Sequence, residues 1–241
     1  MFIGIIGATG NIGQRTLVEA VARGHHIKAF TRSAERAEAE NAKVKAEPSN
    51  VTWASVDAFD PDSIAAHLPG LDVLISCYQP GNSAEDFEAT VKQSIADPTV
   101  YATVARSLLK ALDTHPRTRL IVMGGAGSLE SEPGRTPADL DTAQLGEQLE
   151  KLGLPGEYAV AVKGHRDALD TLRTSNRLWT YLSPAMQIAP GERTGRYRVG
   201  GDQPLFDAEG TSRISYEDAA VALVDEAELP RFVQRRFTIG Y

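Results

Sequence analysis

The chain has 241 residues, of which 42% are hydrophobic and 24% are charged. A chain of this length and composition buries enough apolar surface to fold without metals or disulfides, which excludes disordered and fibrous proteins. Its 25 basic and 32 acidic residues give a formal net charge of −7, which provides no general attraction to nucleic acid or to an anionic membrane.

Cysteine and histidine usage excludes further classes of protein. Cys77 is the only cysteine, so the sequence has no internal disulfide and no cysteine zinc cluster, and its five histidines lack metal-ligand spacing. No apolar run approaches the roughly 18–20 residues of a membrane span. The apolar N-terminus lacks a basic region and runs straight into a glycine motif, unlike a signal peptide. We therefore expect a cytoplasmic protein without metal, nucleic-acid or membrane partners.

Short apolar strands alternate with helical segments in the first half of the chain. The predicted strands are 1–6, 26–30, 51–56, 73–77 and 120–123, and the clearest predicted helices are 12–23, 62–67 and 99–114. Such alternation is typical of βαβ units. It predicts an α/β protein with a Rossmann-type, doubly wound parallel sheet.

The second half begins with a glycine-rich segment at 124–128, which opens a predicted long loop. The later predicted elements are two helices and two strands, at 158–173, 215–226, 178–182 and 236–240. Residues 184–212 are rich in Gly and Pro, and we expect hairpins and loops that cover the carboxyl end of the sheet. We predict one domain over residues 1–241, with 184–241 as a small C-terminal part on the substrate side.

The motif Gly7-x-x-Gly10-x-x-Gly13 lies between the first strand and the first helix. In a dinucleotide fingerprint, the first glycine allows a sharp turn, the second lets the backbone approach a pyrophosphate, and the third lets the helix pack on the strand. The helix N-terminus adds free N–H groups and partial positive charge. This motif predicts NAD(P) binding, and the alternative is a tight turn without a ligand. The predicted pyrophosphate loop also includes Thr9, Asn11 and Ile12.

The end of the second strand distinguishes the two nicotinamide cofactors. An NAD site places Asp or Glu there to bind the ribose 2′-OH, whereas this chain has Thr31-Arg32-Ser33 and no acid before Glu35. Arg32 can pair with a 2′-phosphate, with help from the two hydroxyls. We therefore predict NADPH rather than NADH. The alternative is an ordinary solvated arginine.

Residues after the other strands complete the predicted cofactor site, because ligands bind at the carboxyl ends of parallel strands. Asp57 and Ala58 are expected near the adenine, although Asp57 is equally suited to capping a helix. Cys77 and Tyr78 are expected near the nicotinamide ribose, where Cys77 fits a buried small hydrophobe better than a nucleophile. The remaining predicted contacts lie along the nicotinamide and its carboxamide, at Gly124, Gly125, Ser183, Pro184 and Ala185.

Taken together, these residues resemble an atypical member of the short-chain dehydrogenase/reductase superfamily. The Gly-Ala-Thr-Gly-x-Ile-Gly opening at 7–13 is similar to NmrA-like and epimerase/dehydratase-like proteins. The later stretches 179–185, 190–195, 213–219 and 236–238 resemble bacterial proteins described as NADH-flavin reductases. The resemblance implies a Rossmann fold and a nicotinamide cofactor, and a homodimer is a further expectation at the level of the family.

The Tyr-x-x-x-Lys pair of that superfamily is missing from this sequence. Tyr158 and Lys163 are five residues apart. On a helix of 3.6 residues per turn, this spacing rotates the two side chains by about 140° relative to each other. Tyr101, Tyr181, Tyr197 and Tyr216 also lack a lysine four residues on. The catalytic residues therefore stay open, and the candidates are Tyr78, Ser128, Tyr158 and Lys163.

The absence of the Tyr-x-x-x-Lys general acid limits the reactions that this protein is expected to catalyse. Ketone reduction needs a general acid at the developing alkoxide, whereas a flavin or quinone accepts hydride and takes its protons from water. We therefore predict an NADPH-dependent oxidoreductase acting on a small-molecule acceptor, either a flavin or a quinone. One alternative is a non-catalytic NADP(H)-sensing regulator of the NmrA-like type, and another is a nucleotide-sugar epimerase or dehydratase.

Two further groups of residues bear on the acceptor. Arg193, Arg196 and Arg198 crowd into six residues, which suggests an anionic substrate such as a flavin phosphate or, equally, a solvated hairpin edge. Met186 and Phe206 are candidates for lining an apolar acceptor pocket, with core packing as the more common fate.

Overall fold

The structure is a computed structural model that describes residues 1–41, 50–81 and 87–241. The strands in these ranges are β1 Phe2–Ile6, β2 His26–Thr31, β3 Val51–Ser55, β4 Val73–Ser76, β5 Arg119–Met123, β6 Trp179–Pro184, β7 Gln187–Ala189, β8 Arg198–Gly200, β9 Arg213–Ser215 and β10 Arg235–Gly240. The α-helices there are α1 Asn11–Ala22, α2 Ala34–Asn41, α3 Pro61–Ala65, α4 Phe87–Ala96, α5 Val100–Ala111, α6 Thr142–Lys151, α7 Ala159–Arg173 and α8 Tyr216–Glu228.

Eight of these strands form one sheet in the order β3-β2-β1-β4-β5-β6-β10-β8. All neighbours in it pair in parallel except β8, which runs antiparallel to β10. The chain order reverses between β1 and β4, and this reversal creates a crevice at the carboxyl ends of the two strands. The predicted doubly wound Rossmann-type fold is confirmed.

Helices cover both faces of this sheet. Helices α1 and α8 pack together on one face, while α3, α5 and α7 pack together on the other. Strands covered on both faces must be apolar along their whole length, and all four residues of β4 are indeed buried. One core contains Ile3, Ile5 and Leu223, and the other contains Phe30 and Tyr181.

The structure corrects the prediction of a long loop after β5. Helix α6 lies within it, preceded by short 3-10 turns at Ala126–Ser128 and Pro137–Asp139. The side chain of Asp141 caps this helix by accepting a hydrogen bond from the N–H of Gln144, and Leu145 and Leu149 are buried. An apolar stripe of two leucines around Gly146 is too weak a periodic signal to predict a helix.

The prediction of hairpins in residues 184–212 is also wrong. Strand β7 pairs with β9 in parallel, and parallel neighbours need a crossover connection instead of a hairpin. Strand β8 instead joins the edge of the large sheet beside β10. The C-terminal part of the chain therefore extends the main sheet as well as adding a two-stranded sheet.

Candidate cofactor-binding site

The loop between β1 and α1 is tight enough to require glycine at two positions. Gly7 has a φ of +73°, and a Cβ on it would lie 2.6 Å from the carbonyl oxygen of Cys77. A Cβ on Gly13 would lie 2.0 Å from the carbonyl oxygen of Gly7. Gly10 is the N-cap of α1 and offers no side-chain oxygen to the N–H groups of the first turn. This backbone cradle at a helix N-terminus suits a pyrophosphate.

Arg32 follows β2 directly and is exposed. Its guanidinium makes no hydrogen bond or ion pair to any residue that the structure describes. Burial raises the pKa of Tyr78, after β4, to about 12, and the positive charge of Arg32 opposes this shift. Because β1 lies between β2 and β4, Arg32 and Tyr78 lie on either side of the glycine loop.

The structure separates the two roles considered for Asp57. The carboxylate of Asp60 caps α3 by accepting a hydrogen bond from the N–H of Asp62. Asp57 instead accepts a hydrogen bond from the N–H of Phe59 at 2.9 Å and remains exposed, while Ala58 is buried. Helix capping by Asp57 is therefore wrong, and its contact with adenine stays a prediction.

Cys77 lies beneath the glycine loop as a small hydrophobic residue. It is buried in the core, with the hydroxyl of Thr16 4.0 Å from its sulfur. Burial raises the pKa of its thiol to about 12, so the reactive thiolate is scarce at neutral pH. The interpretation of Cys77 as a buried hydrophobe is confirmed.

The glycines after β5 are required by the side chains below them. A Cβ on Gly124 would lie 2.0 Å from the ring of Tyr181, and one on Gly125 would lie 2.7 Å from the imidazole of His165. Ser128 is fully buried and donates its hydroxyl to the carbonyl of Gly125 at 2.7 Å. Because that proton is already committed, Ser128 is placed to hold the loop and not to face a substrate.

The end of β6 lies beside this loop. The hydroxyl of Ser183 is 2.9 Å from that of Ser128, and both side chains are buried. Pro184 and Ala185 follow and are buried as well. Because burial covers the whole of each residue, their contact with the carboxamide stays a prediction.

Tyr158 and Lys163 point to different partners. The ammonium of Lys163 donates to the carbonyl oxygen of Leu140 at 2.6 Å. Tyr158 is the N-cap of α7, is half-buried, and packs against the core cluster that contains Tyr101. The structure therefore does not bring the two residues together as an acid pair.

The three arginines at 193–198 do not form an anion-binding cluster. Arg193 makes two hydrogen bonds to the carboxylate of Glu19, at 2.6 and 2.8 Å. Arg198 donates to the backbone carbonyls of Phe206 and Tyr241. With two arginines occupied by protein groups, the interpretation of this stretch as a flavin-phosphate site is not supported.

Met186 and Phe206 are exposed to 46% and 47%, so neither takes the core position that was the usual alternative. A surface concavity of about 700 Å³ does lie beside β7 and β9, and another of about 380 Å³ is lined by α1 together with Arg193 and Glu217. Neither Met186 nor Phe206 lines these concavities, nor does any predicted cofactor residue.

Sequence reasoning did not identify a row of rings beside the predicted nicotinamide position. The ring of Tyr78 meets the rings of Phe59 and Tyr101 edge-on, with centroid separations of 5.7 and 6.5 Å. The centroid of the Tyr101 ring lies 3.9 Å from that of the His165 imidazole. These residues come from four separate segments, so no local motif in the sequence could have brought them together.

The described residues contain no group of three or more His, Cys, Asp or Glu side chains placed to hold a metal ion. Within the same ranges, no helix is both long and apolar enough to cross a membrane.

A family described as NAD(P)H-binding matches residues 7–227 of this chain. The uncharacterized protein YwnB of Bacillus subtilis is 32% identical over 243 residues, covering 99% of this chain and 98% of YwnB. The fold and the glycine loop thus define a protein that binds a nicotinamide dinucleotide. The chain belongs to this family of NAD(P)H-binding proteins.

Solved structures extend the comparison. A proposed exported protein from Burkholderia pseudomallei is 37% identical with a TM-score of 0.78, and the match covers all of both chains. A proposed epimerase from Bacteroides thetaiotaomicron is 31% identical with a TM-score of 0.77, over 100% of this chain and 96% of that one. A proposed NADH-flavin reductase from Streptococcus pneumoniae is 28% identical with a TM-score of 0.75, over 100% and 99%.

These likenesses confirm the resemblance to NADH-flavin-reductase-like and epimerase-like proteins. Because one similar chain is described as exported, a cytoplasmic location stays a prediction.

Proposed function

We propose that this protein is an NADPH-dependent oxidoreductase that transfers hydride to a small, flat, conjugated acceptor such as a flavin or a quinone. The observation that carries the proposal is the arrangement around the end of β1. A backbone cradle is flanked there by a cation without an ion-pair partner in the described residues, Arg32, and by an aromatic side chain, Tyr78.

The residues of the cradle fit the cofactor. The first turn of α1 would hold the pyrophosphate, because Gly7 and Gly13 keep side chains out of the way. Arg32 would bind a 2′-phosphate through paired N–H donors. The backbone of Gly124 and Gly125 would line the nicotinamide, which supplies a hydride when it is bound in its reduced form.

The acceptor proposal rests on what the protein lacks at the Tyr–Lys position. Because Lys163 is held by the carbonyl of Leu140, it does not support Tyr158 as the superfamily's lysine does. A flat acceptor that stacks on the nicotinamide needs mainly near-attack positioning. The description of the S. pneumoniae relative as a proposed NADH-flavin reductase supports the same chemistry.

The direct test is NADPH oxidation by the purified protein, followed at 340 nm with FMN, riboflavin or menadione as acceptor. The proposal expects oxidation that depends on both acceptor and protein and exceeds the rate of acceptor with cofactor alone. Absence of turnover with every flavin and quinone would contradict it.

The same absence of a Tyr–Lys pair favours a second candidate, a non-catalytic sensor of NADP⁺ against NADPH. The sensor hypothesis predicts tight binding of the cofactor without turnover. It also predicts a protein partner whose binding depends on the redox state of the cofactor. An epimerase or dehydratase is less favoured, because these reactions depend on the pair that Lys163 does not complete.

A further inference from the structure

A buried arginine stands on β10, an inner strand of the large sheet. The side chain of Arg236 is 1% exposed, and arginine is almost never buried to this extent unless it is paired. Arg236 lies opposite Tyr181 of β6, so both side chains stand on the same face of the sheet. The ring of Tyr181 packs beneath Gly124. The guanidinium therefore lies on the face that supports the loop after β5, which begins at Gly124 and Gly125 and which we call the nicotinamide loop.

The guanidinium of Arg236 binds two loops at once. Its Nε and Nη2 donate to Oδ1 of Asp202, at 2.9 and 2.5 Å, in the loop between β8 and β9. Its Nη1 donates to the backbone carbonyl of Ser128, and its Nη2 lies 3.4 Å from Oε1 of Glu130, both in the nicotinamide loop. One side chain thus joins β10 to the nicotinamide loop and to the loop between β8 and β9.

These contacts reach the backbone that is expected to line the nicotinamide. Ser128, whose carbonyl binds Arg236, donates its hydroxyl to the carbonyl of Gly125 at 2.7 Å. The N–H of Glu130 donates to the carbonyl of Asp202 at 2.8 Å, so the two loops are also joined directly. Gly125 has no side chain with which to hold its own position. Its place in the site therefore depends on the contacts of its neighbours, and Arg236 holds their buried end.

Stability alone is a weak reason for a charge at this position. Burying an arginine costs desolvation free energy, and replacing a buried ion pair by apolar side chains of similar volume is often neutral or stabilising. The nearest carboxylate, that of Asp202, is itself 56% exposed, so water weakens its attraction for the guanidinium. An arginine does provide what an apolar side chain cannot, a planar fork of N–H donors that fixes two loops relative to each other.

We propose that Arg236 is a positioning residue that sets the nicotinamide loop for cofactor binding and couples it to the loop between β8 and β9. The proposal rests on the proposed function. Its effect should be confined to the nicotinamide end of the cofactor. Arg32, which is expected to bind the 2′-phosphate, follows β2, and four strands lie between β2 and β10. With about 4.8 Å between neighbouring strands, the adenosine end of the cofactor lies roughly 24 Å from β10.

The test compares NADPH with adenosine 2′,5′-bisphosphate, which carries the adenosine and the 2′-phosphate but no nicotinamide. The dissociation constants of both ligands are measured by calorimetry for wild type, R236M and D202N. R235M is the matched control, because it makes the same change at the neighbouring residue of β10, which is exposed. D202N removes the charge of an exposed partner and keeps Arg236, so it tests the proposal even where R236M does not fold. Melting temperatures verify folding.

R236M is expected to weaken NADPH binding about tenfold or more, because charge-assisted hydrogen bonds to the nicotinamide loop are lost. D202N should weaken it about threefold, because it removes one partly exposed ion pair. Both variants should bind adenosine 2′,5′-bisphosphate as wild type does, and R235M should match wild type with both ligands. Equal weakening of both ligands would overturn the inference alone, as would unchanged NADPH affinity in folded R236M, or in D202N where R236M does not fold. A wild type that binds neither ligand would instead overturn the proposed function and, with it, the inference.

Discussion

Single contacts decide where glycine is required in this protein, and the sequence reveals only some of them. The spacing of Gly7 and Gly13 identifies them as fingerprint residues, and the structure supplies the steric reason in the 2.0 Å approach of a Gly13 Cβ to the Gly7 carbonyl. The need for glycine at 124 and 125 arises from Tyr181 and His165. Those side chains lie more than 35 residues away in the chain, so the sequence alone gives no sign of the contact.

Gly13→Ala tests the cradle. Its Cβ would collide with a backbone carbonyl, which can relax only if α1 moves away from the loop. We expect a loss of about 1–3 kcal/mol in the free energy of unfolding and at least tenfold weaker NADPH binding, measured by urea titration and calorimetry. Gly201→Ala is the matched control, since a Cβ there meets nothing within 4 Å. Unchanged NADPH affinity in Gly13→Ala would show that the cofactor binds elsewhere.

Arg32→Glu tests the choice of cofactor. Replacing the guanidinium by a carboxylate removes charge-assisted hydrogen bonds to a 2′-phosphate, each contributing about 1.5–3 kcal/mol, and adds repulsion. NADPH should therefore bind at least tenfold more weakly while NADH affinity is preserved or improved, as measured by fluorescence titration. Arg117→Glu is the control, because it makes the same charge change in the exposed turn before β5, at the amino ends of the parallel strands. If Arg32→Glu weakens both cofactors equally, Arg32 is structural.

At the scale of elements, hydrogen bonds attach the segment 190–195 to α1 and α8, so this segment does not form a free hairpin. Arg193 binds Glu19 of α1, while Thr194 and the N–H of Gly195 donate to the buried carboxylate of Asp218 in α8. Ser215 caps α8 by accepting a hydrogen bond from the N–H of Asp218. The carboxylate of Asp218 binds this distant segment, and no local sequence pattern predicts that contact.

The ion pair between Arg193 and Glu19 should make the free energy of unfolding depend on pH. Hydrogen bonds from Arg193 lower the pKa of Glu19 below its usual 4.5, burial opposes the shift, and Arg23 adds to it. A lowered folded-state pKa contributes stability that is present above about pH 4.5 and is lost as the pH falls through the lowered pKa. Glu19→Gln should therefore have a lower melting temperature than wild type at pH 7, and the difference should shrink towards pH 3.

The comparison is made by calorimetry between pH 3 and pH 7. Glu88→Gln, an exposed acid in the first turn of α4, is the control and should follow the wild-type curve. A melting-temperature difference between Glu19→Gln and wild type that is constant across this range would contradict the assignment.

For the whole molecule, the parallel half of the sheet is what the sequence predicts best. Strands β1, β4 and β5 are largely buried apolar runs, and such patterns can be read locally. Three features depend instead on contacts between segments that are distant in the chain. They are the order of β10 and β8 in the sheet, the pairing of β7 with β9, and helix α6. The ring cluster of the candidate site has the same origin, since the carboxyl edge collects residues from four segments that share no local pattern.

Cofactor binding at the junction of β1, β2, β4 and β5 should stabilise the fold as a unit, because these strands belong to one sheet. A ligand at about 100 times its Kd adds roughly 2.7 kcal/mol to the free energy of unfolding. For a chain of this size, that corresponds to a rise of about 5–10 °C in melting temperature. We expect NADPH and NADP⁺ to produce this rise, with smaller shifts from NADH and NAD⁺ at equal concentration.

Thermal unfolding with the four nucleotides in parallel gives the measurement, and Gly13→Ala serves as the control that should lose the shift. Equal shifts from all four nucleotides would support the cradle and contradict the role of Arg32, since only the 2′-phosphate distinguishes the two pairs. A melting temperature that none of them changes would mean that the loop at β1 is a turn without a ligand. The proposed reductase and the proposed sensor would then both fail, because each begins with the same bound cofactor.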